Sequence, residues 1–181
     1  MKKTVLTFGL ISGFILAAMM AIMMPLYYSG KVGFDSGEII GYTTMVLSSL
    51  LIFAGIRSQR ENAGGTITFS KAFLTGLLIT LVSCVVYVAA WQIIYYNYTP
   101  DFYVKYSAYT LEKMRADGKS EAVIAAERKK MAAFKDMYDN PLINAAFTFI
   151  EPIPVALVVT LISAAILRKK SASPPAAAVL A

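Results

Sequence analysis

An all-α membrane protein is the fold class that the sequence predicts: four transmembrane helices with an extracytoplasmic amphipathic helical hairpin between the third and the fourth. Three observations predict it. Of 181 residues, 57% are hydrophobic and only 15% charged, far from the composition of a soluble globular domain. Four apolar stretches, at about 4–28, 37–56, 72–96 and 142–167, are each long enough to cross a hydrocarbon core at ~1.5 Å per residue. Basic side chains gather at the ends of those stretches and in one amphipathic segment, at about 99–140, as topology signals do. The reading is of one transmembrane domain over 1–170 and a short disordered tail over 171–181, too small and too rich in alanine, serine and proline to build a core.

Composition also excludes chemistry. The chain has no histidine and one cysteine, so the usual zinc and iron ligand sets cannot be assembled, and neither can a Ser-His-Asp or Cys-His nucleophile. Cys84 sits inside an apolar run, where it reads as helix packing. No metal, no cofactor and no enzymatic activity are expected. The net charge of +6 belongs to the helix ends, so nucleic acid is not an expected partner.

The first span follows Met1-Lys2-Lys3 and runs uncharged from Thr4 to Tyr28, longer than the h-region of a signal peptide. Gly9, Gly13, Ala17 and Ala21 recur every four residues, a small-residue stripe that another helix can approach closely. Pro25 and Tyr27-Tyr28 are expected to end it at an interface. The second span starts at Gly37, with Gly41 completing a GxxxG spacing and Thr43, Thr44, Ser48 and Ser49 supplying hydroxyls. Glu38 is read as an acid at that helix N-terminus, where the dipole favours it. Gly64-Gly65 marks a turn and not a phosphate loop, because no GK[ST] follows; the link to Lys71 is expected along the membrane surface. The third span covers Ala72 to Tyr96, with Trp91, Gln92, Tyr95 and Tyr96 at its far end.

Thr99-Pro100-Asp101 then reads as a helix start. Phe102, Tyr106 and Tyr109 give that helix an aromatic face, Gly118 breaks it, and Ser120 caps a second helix with Ile124, Met131, Phe134 and Tyr138 on one side. The hairpin suits either the lipid surface or a protein partner. The last span begins at Pro141 and stops at Arg168-Lys169-Lys170.

If four helices cross, Lys2, Lys3, Arg57, Arg60, Lys71, Arg168, Lys169 and Lys170 share one side, which places both termini in the cytoplasm. The segment holding Lys105, Lys113, Arg115, Lys119, Arg128, Lys129, Lys130 and Lys135 dissents, since it then lies outside.

The residue that stands out is Glu151, followed by Pro152 and Pro154 in the last span. It falls ~15 Å beyond the start of that helix, about halfway into the bilayer, where a charge costs at least ~2.5 to 3.5 kcal/mol. Tyr87 and Ser83 of the third span, and Thr44 to Ser48 of the second, come to a similar height and are its candidate partners. The prolines predict a kink, because neither can donate a backbone hydrogen bond. Glu151, Tyr87 and Ser83 form a candidate ion or proton site; the rival is a protonated or hydrogen-bonded Glu151 that only fixes helix packing.

Gly41-Tyr42-Thr43-Thr44-Met45, Phe53-Ala54-Gly55-Ile56-Arg57 with Gly64-Gly65-Thr66-Ile67-Thr68-Phe69 after it, and Phe149-Ile150-Glu151-Pro152-Ile153-Pro154-Val155 together resemble the bacterial membrane family catalogued as domain of unknown function 4199. The similarity runs from about Lys2 to Lys170. It implies a small four-helix integral membrane protein with a long charged segment before the last helix; it implies no activity and carries over no catalytic residue. The expectation is thus a non-enzymatic structural or interaction component of the bacterial inner membrane, in contact with lipid and able to self-associate or bind a protein through the outer hairpin. The alternative is a small proton- or cation-linked carrier or channel-like protein using Glu151. A water-reachable cavity at Glu151 favours the carrier, and a closed bundle around it favours packing.

Overall fold

In hydrocarbon a backbone N–H or C=O without an internal partner costs several kcal/mol, so the uncharged stretches must close their hydrogen bonds within themselves as helices. A computed structural model describes residues 1–169, and the tail expected over 171–181 lies outside the described residues. Its helices are α1 (Lys2–Tyr28), α2 (Phe34–Asn62), α3 (Phe69–Asn97), α4 (Phe102–Ala116), α5 (Glu121–Tyr138), α6 (Pro141–Ile150) and α7 (Ile153–Leu167). Four segments are long and apolar enough to cross a membrane: α1, α2, α3, and α6 with α7 taken together over Pro141–Leu167.

The distribution of side chains matches that use. Phe14, Ile22, Leu47, Val85, Ile93 and Ile162 are exposed on the outside of these segments, whereas Ser12, Ser48, Thr75, Thr80, Ser83 and Thr160 are buried between them. Such a surface is costly in water, and lipid removes the cost. Of these buried hydroxyls, Thr75 donates to the carbonyl of Lys71 at 2.7 Å and Thr80 to that of Gly76 at 3.0 Å, whereas Oγ1 of Thr160 has no partner among the described residues.

α1 and α3 come into direct contact because glycine allows it. A Cβ on Gly9 would lie 2.6 Å from Cβ of Val82, and one on Gly13 would lie 2.6 Å from Cβ of Val86. The stripe read as a surface for another helix is therefore filled, at these two positions, by α3 of the same chain. Gly76 serves α7 likewise, against the Thr160 side chain. Val5, Ile52, Ile56, Ile79, Ala156 and Ala164 complete a closed apolar core in the half of the bundle nearer the termini. The 64–65 turn, with φ of +77° and +82° at its glycines, leads into Ile67, which is buried and exchanges backbone hydrogen bonds with Lys169 at 3.0 and 2.9 Å. The link between the second and third spans is thus tied to the end of the last span.

Several boundaries differ from the sequence reading. Pro25 lies inside α1, which continues to Tyr28. α2 begins at Phe34, so the acid of its first turn is Asp35, and Glu38 is a turn too far in to serve the N-terminus. Gly33 takes the N-cap and Asp35 the first turn, residue types that suit a helix start, and Phe34 stacks on Tyr27 at 5.2 Å. Ser120 does occupy the N-cap of α5, but its side chain makes no capping hydrogen bond. Gly118, with φ +72°, turns the chain between α4 and α5.

α4 packs its aromatic face on the α1–α2 turn, with Phe102, Tyr106 and Tyr109 around Phe34 at 5.9, 5.6 and 5.2 Å. Tyr103 near the start of α4 meets Phe134 and Tyr138 near the end of α5 at 5.4 and 5.9 Å. The start of α4 is also held by Asp101, which accepts from the Tyr28 hydroxyl and sits 3.0 Å from Nζ of Lys105. The tyrosine bond first, and the lysine second, hold the Asp101 carboxyl below its ordinary value of 3.8. A lowered carboxylate stabilises the fold above its ordinary value and loses that contribution as pH falls through the lowered one. Protection of the amides at the start of α4, with the intrinsic exchange rate divided out, should thus be flat between about pH 5 and 7 and fall only below pH 3.8. The Asp101→Asn variant should show the lower protection at neutral pH, and the difference should close as pH falls below 3.8.

Candidate functional site

Proline at 152 and 154 removes the donors that the carbonyls of Thr148 and Ile150 would use in a continuous helix. The regular hydrogen bonding accordingly lapses at Glu151-Pro152, dividing the last span into α6 and α7, while both residues keep right-handed helical dihedrals. The break has a consequence for packing. α7 lies against both α2 and α3, whereas α6 keeps to α3 and α5 and is not a close neighbour of α2. The two halves of the span are thus held differently, and a space opens on the α2 side of α6.

That space is a cavity of about 570 Å³ in the half of the bundle away from the termini. Leu16, Met20 and Met24 of α1 and Met45 of α2 form part of its wall, Tyr87 and Trp91 of α3 another part, and Phe102, Tyr106, Phe134 and Tyr138 of α4 and α5 close over it. Glu151 lines it and is exposed, so the carboxylate placed deepest by sequence opens onto a space and is not enclosed by packing. The Tyr87 hydroxyl donates to Oε2 of Glu151 at 3.1 Å.

Of the three residues proposed from sequence, the structure brings Glu151 and Tyr87 together and leaves Ser83 apart. Ser83 donates to Oγ of Ser12 at 3.1 Å, and Ser12 donates to the carbonyl of Ser48 at 3.3 Å. These hydroxyls bind α1, α2 and α3 below the cavity. Thr44 does line the cavity, although its hydroxyl is satisfied by the carbonyl of Ile40 at 2.8 Å.

A polar frame positions the roof. Nε1 of Trp91 donates to the Tyr138 hydroxyl at 2.9 Å, and Tyr95 and Tyr96 donate to the side chain and backbone of Asp139, each at 3.1 Å. Gln92 donates to the fully buried Asn144 at 2.8 Å, which fixes α6 to α3. Burial raises the Tyr138 hydroxyl above its ordinary value, so it stays neutral and can accept from Trp91 while donating elsewhere. The second carboxylate of the cavity is Glu38, reached by the Tyr106 hydroxyl at 3.4 Å.

Sequence reasoning missed Glu38, Trp91, Tyr138 and the methionines as members of one site. The available signal was the clustering of aromatic residues at the far ends of the spans together with an aromatic face on α4, but interface anchoring explains that pattern equally well. Among the described residues, no group of three or more His, Cys, Asp or Glu side chains could hold a metal ion.

A four-span helical bundle with a carboxylate-bearing cavity in one half is the class of protein that this arrangement defines. The chain belongs to the family described as "Protein of unknown function (DUF4199)", whose model matches residues 7–169. No curated protein and no solved structure matches it.

Proposed function

We propose that this chain is a non-enzymatic component of the bacterial inner membrane that takes up a small proton- or cation-linked ligand through Glu151, with both termini cytoplasmic and α4 and α5 forming an amphipathic hairpin outside. The observation that carries this reading is the cavity of about 570 Å³ onto which the Glu151–Tyr87 pair opens. A carboxylate kept only for packing has no need of an adjoining space. Glu151 supplies the charge, Tyr87 orients it, and the proline break keeps α6 off α2. The roof made by α4 and α5 then stands between the cavity and the outer water, and access past it is the step that a partner or a ligand would control.

The test is difference infrared titration of the protein in lipid, with wild type compared against Glu151→Gln. A carboxyl band that titrates, shifts in heavy water and vanishes in the variant supports the reading. A band that stays protonated and does not exchange overturns it, and returns Glu151 to a role in packing.

A further inference from the structure

We propose that the cavity binds a lipophilic organic monocation, of the quaternary ammonium or phosphonium type; this rests on the cavity being reachable, as the reading above requires. Four features of the wall point to that chemistry. The first is sign. The chain as a whole carries +6, yet the residues lining the cavity include two carboxylates, Glu38 and Glu151, and neither a lysine nor an arginine. An anion would meet like charge from both carboxylates, and a cation would find complementary charge.

The second is the aromatic content. Tyr27, Phe34, Trp91, Phe102, Tyr106 and Tyr138 all reach the cavity, and aromatic faces attract a cation whose hydration shell is weak. The third is the run of methionines, Met20, Met23, Met24 and Met45, whose flexible thioethers adapt to an irregular apolar outline. The fourth is size. About 570 Å³ lies within the range of ~300 to 1,000 Å³ typical of pockets for organic ligands. It is too roomy for a bare metal ion, which would in addition need a cluster of ligands that is absent among the described residues. Size and apolar lining therefore select an organic group, and the carboxylates select its charge.

Tetraphenylphosphonium and tetraphenylborate share a shape and differ in sign, so the pair separates charge from apolar fit. The full chain in zwitterionic lipid nanodiscs would be titrated with each by calorimetry, with empty nanodiscs subtracted. Fluorescence of Trp91, the one tryptophan of the chain, reports whether the ligand enters the cavity it lines. The expected result is saturable phosphonium binding that changes the Trp91 emission and is not displaced by neutral triphenylphosphine oxide. Glu151→Gln should weaken it at least about tenfold, as loss of a charged contact does, and Glu38→Gln should weaken it severalfold. Glu38 is exposed, so its variant serves even if Glu151→Gln fails to insert.

Equal binding of the borate or of the neutral oxide would overturn the proposal and leave an apolar, lipid-like occupant. Absence of saturable phosphonium binding would overturn it as well. If the infrared band of Glu151 still titrates in that case, the cation-specific inference fails alone; if it does not, the reachable site fails with it.

Discussion

Gly13→Leu is expected to force α1 away from α3 and to destabilise the bundle by about 1 to 3 kcal/mol, the usual cost of overpacking a filled interface. Even a methyl group at this position would lie 2.6 Å from Cβ of Val86 and 3.0 Å from the carbonyl oxygen of Ser83, and a backbone carbonyl cannot give way as a side chain can. The displacement would also reach Ser12 and Ser83, whose hydroxyls are 3.1 Å apart one residue away on α1 and directly across on α3. Unfolding in mixed micelles measures the loss. The control is Ala21→Leu, on the same helix and the same four-residue stripe but exposed, which should leave stability unchanged within about 0.5 kcal/mol. Equal stability of the two variants would show that the close approach is not required.

The second large effect is expected from Pro152→Ala combined with Pro154→Ala. Proline in a helix interior costs about 3 kcal/mol or more, and each alanine returns an N–H to a carbonyl that now lacks it. The last span should then run on as one helix. Because α7 already lies along α2, continuing its line carries α6 towards α2 and narrows the cavity. Spin labels at Leu142 on α6 and Ile39 on α2, exposed at 82% and 69%, should report a shorter mean distance in the double variant than in the proline-bearing chain. Phosphonium binding should fall in parallel, by about tenfold or more, although Glu38 and Glu151 are both retained. An unchanged distance would mean that the Gln92–Asn144 bond and the contacts with α5, and not the prolines, hold α6 in place.

Much of the fold was legible because the membrane imposes simple rules. A span must be long, apolar and internally hydrogen-bonded, and those demands are local. Thr4 to Tyr28 could be read as a helix without knowing what it touches. Contacts between segments were less legible. Phe34, the first residue of α2, stacks on Tyr27, and nothing within residues 30–37 announces that contact. The membership of Glu38 in a site likewise depends on Tyr106, which follows 68 positions later.

The pair of Glu151 and Tyr87 was within reach of a depth count, since both residues lie at a computable height in their own helices. Ser83 lies at a similar height, but depth does not give rotation about the helix axis. It faces α1, where Ser12 accepts its hydrogen bond, while Tyr87, one turn on, faces α6. The cavity itself was out of reach from sequence. Its walls come from six helices, and its opening depends on how far the proline break swings α6 from α2.

The sequence by itself determined that this is a membrane protein of four spans, that the last is broken near Glu151, and that histidine chemistry is absent, because length, hydropathy, proline and composition act without regard to neighbours. Only the tertiary structure decided that Glu151 opens onto a space, that Glu38 shares it, and that the stripe on α1 is filled by α3 at Gly9 and Gly13. Those facts depend on which faces of separate helices meet, and interhelical packing is settled by shape across the whole bundle, not by any one segment of the chain.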